Sequence, residues 1–311
     1  MTSISRRQFL NASALAGVIS FVPDAVSSKV WKETARISCN QYAWITFYER
    51  DGRDWFANLD ASLAEFASTG LKSYEPGLNN SEEAKKLLPL LVKHKLTMPS
   101  VYVNSSLHEP AEAEKSLKTV LSIAEAIKPA NTKIIVTNPN PVKWGGQENK
   151  SDAQLAEQAK NLDKLGAELK KHGMTLAYHT HDVELRAAAR EFHHMLLATN
   201  PQNVSLCLDV HWIYRGAGNS QTALFDIVKL YGKRIVELHL RQSIDGIWQE
   251  TFGEGDIDYR RLYNHLNEIG VRPHLVLEQC LEKKSPKTMN AVEAHKQDIV
   301  AVNRIFGNWL K

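Results

Sequence analysis

The sequence has few cysteines and no pair of them at the spacing of a metal-binding or redox motif. Its 311 residues include three, Cys39, Cys207 and Cys280, with no Cys-x-x-Cys arrangement. An odd number without motif spacing argues against a disulfide framework and against a thiolate zinc site. Each thiol follows or lies within an apolar, strand-like run, where a free cysteine packs as a small hydrophobic side chain. We therefore expect three buried, unpaired thiols.

The sequence also lacks a large excess of charge of either sign. It carries 38 lysines and arginines against 35 aspartates and glutamates, a formal net charge of +3. No basic run or stripe is present that would hold a phosphate backbone, so we expect no nucleic-acid partner. The hydrophobic fraction, 43%, is sufficient for one large core. No linker, internal repeat or low-complexity tract divides the chain, which indicates a single domain.

Long apolar runs are absent except at the N-terminus. Residues 9–22 form one, which follows the arginine pair Arg6-Arg7 and precedes Ala25-Val26-Ser27, small residues at the spacing that signal peptidase recognises. The run is short for a transmembrane helix. We predict a twin-arginine signal peptide at residues 1–27, recognition by the twin-arginine export machinery, and an exported or periplasmic domain at residues 28–311. An uncleaved tether and a chance arginine pair are the alternatives.

Apolar strand-like runs and amphipathic helix-like segments alternate along the rest of the chain. Eight strands, each followed by a helix, predict an α/β fold of the (β/α)8 TIM barrel type, and the chain length is ordinary for it. An open doubly wound sheet is the main alternative, but residues 43–46, after the first strand, lack the glycines of a nucleotide-binding turn. The predicted strands are 37–42, 71–75, 96–103, 133–137, 174–179, 204–209, 235–240 and 274–278.

Residues able to bind a metal ion end the last four predicted strands. They are His179, Asp209, His239 and Glu278. The carboxyl ends of parallel barrel strands converge on one mouth, so these side chains could share one ion. A carboxylate after a wholly apolar run, as at Asp209, is costly without a partner or an ion. We predict one divalent metal ion, and this donor set suits Mn, Zn, Fe or Co.

Two residues are candidates for proton transfer. Glu278 is the first, because a carboxylate can bind an ion through one oxygen and accept a proton on the other. His181 lies two residues beyond His179, on the same side of the strand, and its imidazole is the second candidate. The alternative is that one of these histidines binds the ion and the other is a packed core residue.

Three further residues are candidate substrate contacts. Glu184 is close in sequence to the histidine pair, Glu75 ends the second predicted strand, and Trp144 lies in a long loop at the mouth, where an indole face can stack on a sugar ring. The alternatives are a solvated loop carboxylate for Glu75 and a plain surface tryptophan for Trp144.

The order of these motifs resembles the xylose isomerase-like barrel superfamily, in particular its sugar phosphate isomerase/epimerase branch. The stretches that carry the resemblance are 178–184, 208–212 with Arg215, 237–241, 252–256 and 277–278. The resemblance implies the same four metal ligands and a substrate pocket lined by Trp212, Arg215 and Glu254. It also implies a sugar isomerase or epimerase that acts through an enediolate on a free or glycosidic (keto-)sugar, a small-molecule carbohydrate. The resemblance is also compatible with the formation of a homo-oligomer.

One position departs from the family pattern. Sugar ketose epimerases of this superfamily have glutamate where His179 stands and use two metal-bound glutamates on opposite faces of the substrate, whereas this chain retains only Glu278. A keto-sugar or keto-glycoside lyase or dehydratase, which needs a single base, is therefore the alternative. An exported sugar-binding protein and an endonuclease-type phosphodiesterase are further alternatives. The phosphodiesterase would need additional ligands on the second, third and fourth strands, and residues 100–103 and 135–137, at the ends of the third and fourth, offer none.

Overall fold

The computed structural model describes residues 37–310, so the predicted signal peptide at residues 1–27 lies outside the described residues and stays a prediction. The strands are β1 (Ser38–Asn40), β2 (Ser73–Glu75), β3 (Ser100–Tyr102), β4 (Ile134–Thr137), β5 (Thr175–Tyr178), β6 (Val204–Asp209), β7 (Ile235–Leu240), β8 (Ser243–Ile244), β9 (Ile247–Trp248) and β10 (His274–Leu277). The α-helices are α1 (Gln41–Arg50), α2 (Leu59–Ser68), α3 (Ser81–Lys93), α4 (Pro110–Ala126), α5 (Asp152–Lys171), α6 (Arg186–Ala198), α7 (Val210–Gly216), α8 (Gln221–Tyr231), α9 (Tyr259–Glu268) and α10 (Ala291–Phe306).

Eight of the strands form one parallel sheet in the order β2-β1-β10-β7-β6-β5-β4-β3. The two outer strands meet through bridges that flank them, Ser73 with Thr97 and Gly77 with Tyr102. The backbone N–H of Tyr102 donates to the carbonyl of Pro76 at 2.9 Å across this seam. The sheet therefore closes on itself, and the predicted single-domain (β/α)8 TIM barrel is confirmed.

The strands are apolar because the barrel buries both of their faces. One face packs into the barrel interior and the other under the surrounding helices. All four residues of β4 and of β10 are buried. The three cysteines are also buried and unpaired, as predicted.

The connections that follow the strands differ greatly in length. Residues 138–151 follow β4, and residues 241–258 follow β7 and include the antiparallel hairpin β8–β9. Because the carboxyl ends of all barrel strands lie at one mouth, these long connections cover that mouth. Within residues 37–310, no helix combines the length and the apolar character needed to cross a bilayer.

Gly166 allows helix α5 to approach the turn before β6 at backbone distance. A β-carbon at this position would lie 2.1 Å from the carbonyl oxygen of Asn203. Replacing glycine by alanine within a helix normally stabilises it by about 1 kcal/mol, but here we expect Gly166→Ala to lower the free energy of unfolding. Overpacking of this kind costs about 1–3 kcal/mol.

Thermal unfolding followed by circular dichroism measures this change. A loss of 1 kcal/mol lowers Tm by about 2–4 °C in a domain of this size. The matched control is Gly253→Ala, because a β-carbon there meets no atom within 4 Å. An unchanged or higher Tm for Gly166→Ala would show that α5 can move away from Asn203.

Candidate functional site

The four predicted metal ligands meet at the barrel mouth. Potential ligand atoms of His179, Asp209, His239 and Glu278 all lie within 4.8 Å of one another. The Nε2 atom of His179 is 3.6 Å from Oδ2 of Asp209, and Nδ1 of His239 is 3.2 Å from Oε2 of Glu278. Because each residue lies within one position of the carboxyl end of a different barrel strand, the convergence of strand ends brings them together.

The residues present fit a divalent ion. Nε2 of His179 and Oδ2 of Asp209 are buried, and neither has a hydrogen-bond partner among the described residues. Buried polar atoms are rarely left unpaired, and a missing ion is one reason when they are. Two imidazole nitrogens and two carboxylates suit a borderline-to-hard divalent metal. Within residues 37–310 a second group of side chains could also hold a metal ion. It consists of Cys207, Glu237 and His239, and it shares His239 with the four-residue cluster.

Both histidines of the cluster are held through the ring nitrogen that faces away from the other ligands. Nδ1 of His179 is 3.3 Å from the hydroxyl of Tyr102. Nε2 of His239 is 3.2 Å from Oε2 of Glu75 and 3.3 Å from Oε1 of Glu237. Partners of this kind fix the tautomer and the orientation of metal-binding imidazoles. They leave Nε2 of His179 and Nδ1 of His239 free to bind the ion.

The structure corrects the prediction that Glu75 contacts substrate. Its side chain is fully buried and accepts hydrogen bonds from Nδ2 of Asn40 at 2.6 Å and from Oγ of Ser100 at 2.8 Å. It lies one layer below the mouth, against His239. Burial, together with the neighbouring Glu75 carboxylate, raises the pKa of Glu237. The raised pKa favours the protonated form of Glu237 beneath the metal ligand.

Arg241 is a site residue that the sequence analysis did not single out. It is 1% exposed, and its Nη2 donates to Oε2 of Glu278 at 2.8 Å. Its guanidinium carbon lies 4.2 Å from the ring centre of Trp248 and 5.4 Å from that of Trp212. Burial alone would raise the pKa of the Glu278 carboxyl, but the charges of Arg241 and His239 outweigh it and hold that pKa at about 2. Glu278 is thus already paired, which weakens its case as a base.

His181 lies beside the cluster, between two tryptophans. Its ring centre is 5.0 Å from that of His179, 5.4 Å from that of Trp144 and 5.3 Å from that of Trp212. Burial, aided by the neighbouring His179, lowers the pKa of His181 to about 3. The imidazole is therefore neutral at pH 7. The two predicted substrate contacts Trp144 and Trp212 both stand at this mouth.

Three other predicted substrate contacts, Glu184, Arg215 and Glu254, form hydrogen bonds or ion pairs with other parts of the protein. Glu184 is fully buried and accepts a hydrogen bond from the backbone N–H of His181 at 2.7 Å, so it supports the loop beneath that histidine. Burial raises its pKa to about 7, and the charge of Glu191 adds to this. The carboxylate oxygens of Glu184 are both engaged with Asn138 and the His181 backbone, and its role as a direct substrate contact stays a prediction.

Arg215 and Glu254 are held by ion pairs outside the cluster. Nη1 of Arg215 is 3.1 Å from Oε2 of Glu282, and its Nη2 donates to the carbonyl of Gly246 at 2.8 Å. Arg215 therefore supports the β8–β9 hairpin. Glu254 has a side chain that is 89% exposed and pairs with Arg304 at 3.1 Å. It projects from the surface, so the structure corrects its assignment to the pocket.

Sequence comparison gives one family and a set of curated relatives. The family model described as "Xylose isomerase-like TIM barrel" matches residues 63–299. An inosose dehydratase of Mesomycoplasma hyopneumoniae is 24% identical over 268 residues, which cover 77% of this chain and 86% of the relative. An inosose dehydratase of Clostridium perfringens is 23% identical over 263 residues, which cover 76% of this chain and 86% of the relative.

Solved structures share the fold at lower identity. A sugar phosphate isomerase/epimerase of Parabacteroides distasonis superposes with a TM-score of 0.67 at 16% identity, covering 93% of this chain and 99% of the other. An L-ribulose 3-epimerase gives 0.66 at 14% identity, covering 88% and 95%. A xylose isomerase-like protein of Mycobacterium smegmatis, solved in complex with magnesium, gives 0.64 at 13% identity, covering 89% and 98%.

Proposed function

Because the chain belongs to the xylose isomerase-like TIM barrel family, we propose that it is a divalent-metal-dependent enzyme that removes a proton next to the carbonyl of a keto-sugar or keto-polyol. The observation that carries this proposal is the buried four-residue cluster, in which Nε2 of His179 and Oδ2 of Asp209 lack a hydrogen-bond partner within the described residues. A neutral histidine, His181, stands directly beside it.

The arrangement divides the chemistry between binding and proton transfer. A divalent ion held by the four side chains would polarise a substrate carbonyl and acidify the neighbouring C–H bond. His181 would accept the proton at Nε2, because the ring stands beside the cluster and this nitrogen has no hydrogen-bond partner among residues 37–310. Trp144 and Trp212 flank the base and provide apolar faces against which a sugar ring can pack.

A single free base favours elimination. The base takes the proton from the carbon next to the carbonyl, and the electron pair of the C–H bond forms a carbon–carbon double bond. The oxygen on the next carbon leaves as water or an alcohol after gaining a proton from the protonated base or from solvent. Epimerisation needs a second proton carrier on the opposite face of the substrate. The remaining carboxylate, Glu278, is already paired with Arg241. The curated relatives, named inosose dehydratases, also support elimination.

Isomerisation or epimerisation of a free or glycosidic (keto-)sugar is the second candidate. The likeness to an L-ribulose 3-epimerase and to a D-psicose 3-epimerase supports this function. Glu278 would then have to carry the second proton transfer, after release from Arg241. Both reactions begin with the same proton abstraction, so one experiment separates them by their products.

The experiment is proton NMR of metal-loaded protein with candidate substrates in deuterated water. The substrates are a keto-inositol, a 3-keto-glucoside and unmodified ketohexoses, and metal-stripped protein is the control. Elimination produces a vinylic resonance and enone absorbance, whereas epimerisation gives a new sugar that contains deuterium next to its carbonyl. We expect elimination with a keto-inositol or keto-glycoside. Tight binding of sugar to metal-free protein, with neither reaction, would instead identify a sugar-binding protein.

A further inference from the structure

Asn138 links the loop after β4 to both histidines of the loop after β5. It directly follows β4 and is fully buried. Its Nδ2 donates to the backbone carbonyl of His179 at 3.0 Å and to Oε1 of Glu184 at 3.2 Å. Its Oδ1 faces Nδ1 of His181 at 3.2 Å. All three polar contacts of this amide are therefore made by one short segment of the chain.

The contact with the His179 carbonyl determines which way the amide points. A backbone carbonyl can only accept a hydrogen bond, so the amide atom that faces it must be the NH2 group. The opposite atom, the one that faces His181, is then the amide oxygen. This assignment does not depend on the protonation of Glu184, because the carbonyl alone fixes it.

The orientation of the amide in turn determines the tautomer of His181. An amide oxygen can only accept, so Nδ1 of His181 must carry a hydrogen. In a neutral imidazole the other nitrogen, Nε2, then holds the lone pair. No described residue hydrogen-bonds to that nitrogen, and the ring stands 5.0 Å from the ring of the metal ligand His179.

Glu184 holds both partners of this contact. Its Oε1 accepts from Asn138 and its Oε2 accepts from the backbone N–H of His181. The carboxyl group is fully buried, so it maintains these bonds without competition from solvent. One carboxylate thus fixes the amide and also the backbone that carries the imidazole.

We propose that Asn138 is a positioning residue that keeps His181 in the tautomer with its hydrogen on Nδ1, and that Glu184 locks Asn138 in the required orientation. The significance of this tautomer rests on the proposed function, since it leaves Nε2 of His181 ready to take a proton from substrate. A proton on Nε2 instead would remove the lone pair from the site and block the first step.

The direct test is NMR of the zinc-loaded protein labelled with 15N at histidine, since Zn2+ has a closed d shell and does not broaden resonances. The His181→Gln variant assigns the His181 signals by their disappearance. We expect a protonated, pyrrole-type Nδ1 and an unprotonated, pyridine-type Nε2. The opposite pattern would overturn the proposal, whatever reaction the protein catalyses.

Variants of Asn138 separate tautomer control from a purely structural role. Asn138→Leu removes the acceptor, so the fixed Nδ1–H pattern should be lost and kcat should fall about tenfold or more, with KM changed less than about threefold. Asn138→Asp retains an acceptor towards His181 but replaces the donor to the His179 carbonyl and to Glu184 by an oxygen, so it should restore the Nδ1–H pattern and part of kcat at a cost in Tm. Asn140→Leu, in the same loop, breaks only a bond to Ser106 and is the matched control.

The outcomes distinguish this proposal from the proposed function. If the Leu and Asp variants show the same loss of Tm and the same loss of kcat as each other, and the tautomer of His181 is unchanged, then Asn138 is only structural. If the wild-type tautomer is as expected but no keto-sugar is turned over, the positioning stands and the proposed reaction is wrong. If turnover is found but Nε2 carries the hydrogen in the wild type, the reaction stands and the positioning role is wrong.

Discussion

Protein in which alanine replaces Asp209 is expected to lose its bound metal ion. Asp209 contributes Oδ2, one of the two buried atoms of the cluster that lack a hydrogen-bond partner among the described residues. Replacing one of the four ligands by alanine also leaves a cavity in a buried site, where no other side chain takes the place of the lost carboxylate. After dialysis against a chelator, we expect the wild type to retain or readily rebind about one equivalent of metal. The variant should hold less than about a tenth of that, as measured by plasma mass spectrometry.

Asp209 has a second role that the experiment must separate from metal binding. Its Oδ1 accepts from the backbone N–H of Trp212 at 2.7 Å and caps helix α7. Loss of such a cap costs about 1 kcal/mol. Asp258→Ala is the matched control, because this aspartate caps α9 in the same way without joining the cluster. Asp209→Asn keeps a capping oxygen and should still lose the ion.

Thermal stability gives an independent reading of the same prediction. Binding of an ion to the folded state alone stabilises it by about 2.7 kcal/mol at one hundred times Kd. Added metal should therefore raise Tm of the wild type and of Asp258→Ala, but not of either Asp209 variant. A full equivalent of metal in Asp209→Ala would show that Asp209 does not hold the ion, whereas no metal in either protein would mean that the cluster is a hydrogen-bonded core rather than a metal centre.

The fold could be predicted wherever burial on both faces leaves a continuous apolar run. Strands β6 and β7 have the predicted bounds, because each is a mainly apolar run that is buried along most of its length. The first predicted strand, 37–42, extends too far, because Asn40 caps helix α1 through the N–H of Tyr42. The third, 96–103, is shortened to β3. Pro99 immediately precedes β3 and has no N–H for the ladder.

The cluster could be predicted because the carboxyl ends of parallel strands converge, so that the order along the chain is enough to bring its four members together. How deep each side chain lies below the mouth, and which partner it pairs with, could not be predicted in this way. Glu75 also ends a strand, but Asn40 and Ser100 hold it below the mouth. Arg215 and Glu254 are neutralised by partners 67 and 50 residues away along the chain, and no local pattern reveals such pairs.

Two residues that were missed obey the same strand-end rule that found the ligands. Asn138 directly follows β4 and Arg241 directly follows β7. Neither is a metal ligand by type, so a search restricted to carboxylates and imidazoles passes over both. The ligands of a metal site are oriented by outer groups that need not be ligands themselves, and a search of every strand end for polar residues would have included both.

Replacing His181 by alanine is expected to abolish turnover while leaving the metal ion in place. Loss of a general base lowers the rate by about 10²–10⁴-fold. His181 is not one of the four clustered residues, so metal content should match that of the wild type. Imidazole added to the buffer should restore part of the rate, because the vacated space lies beside the mouth between Trp144 and Trp212. His194→Ala, on helix α6, controls for the loss of a histidine.

The choice of His181 matters because the rival base cannot be tested by its own removal. Glu278→Gln would weaken metal binding and proton transfer together, so its inactivity would not separate the two roles. His181→Ala does separate them, since it changes only the group beside the cluster. If this variant kept a rate within about threefold of wild type, the proton would have to pass to Glu278. Arg241, which donates to Glu278 at 2.8 Å, would then have to release that carboxylate during the reaction.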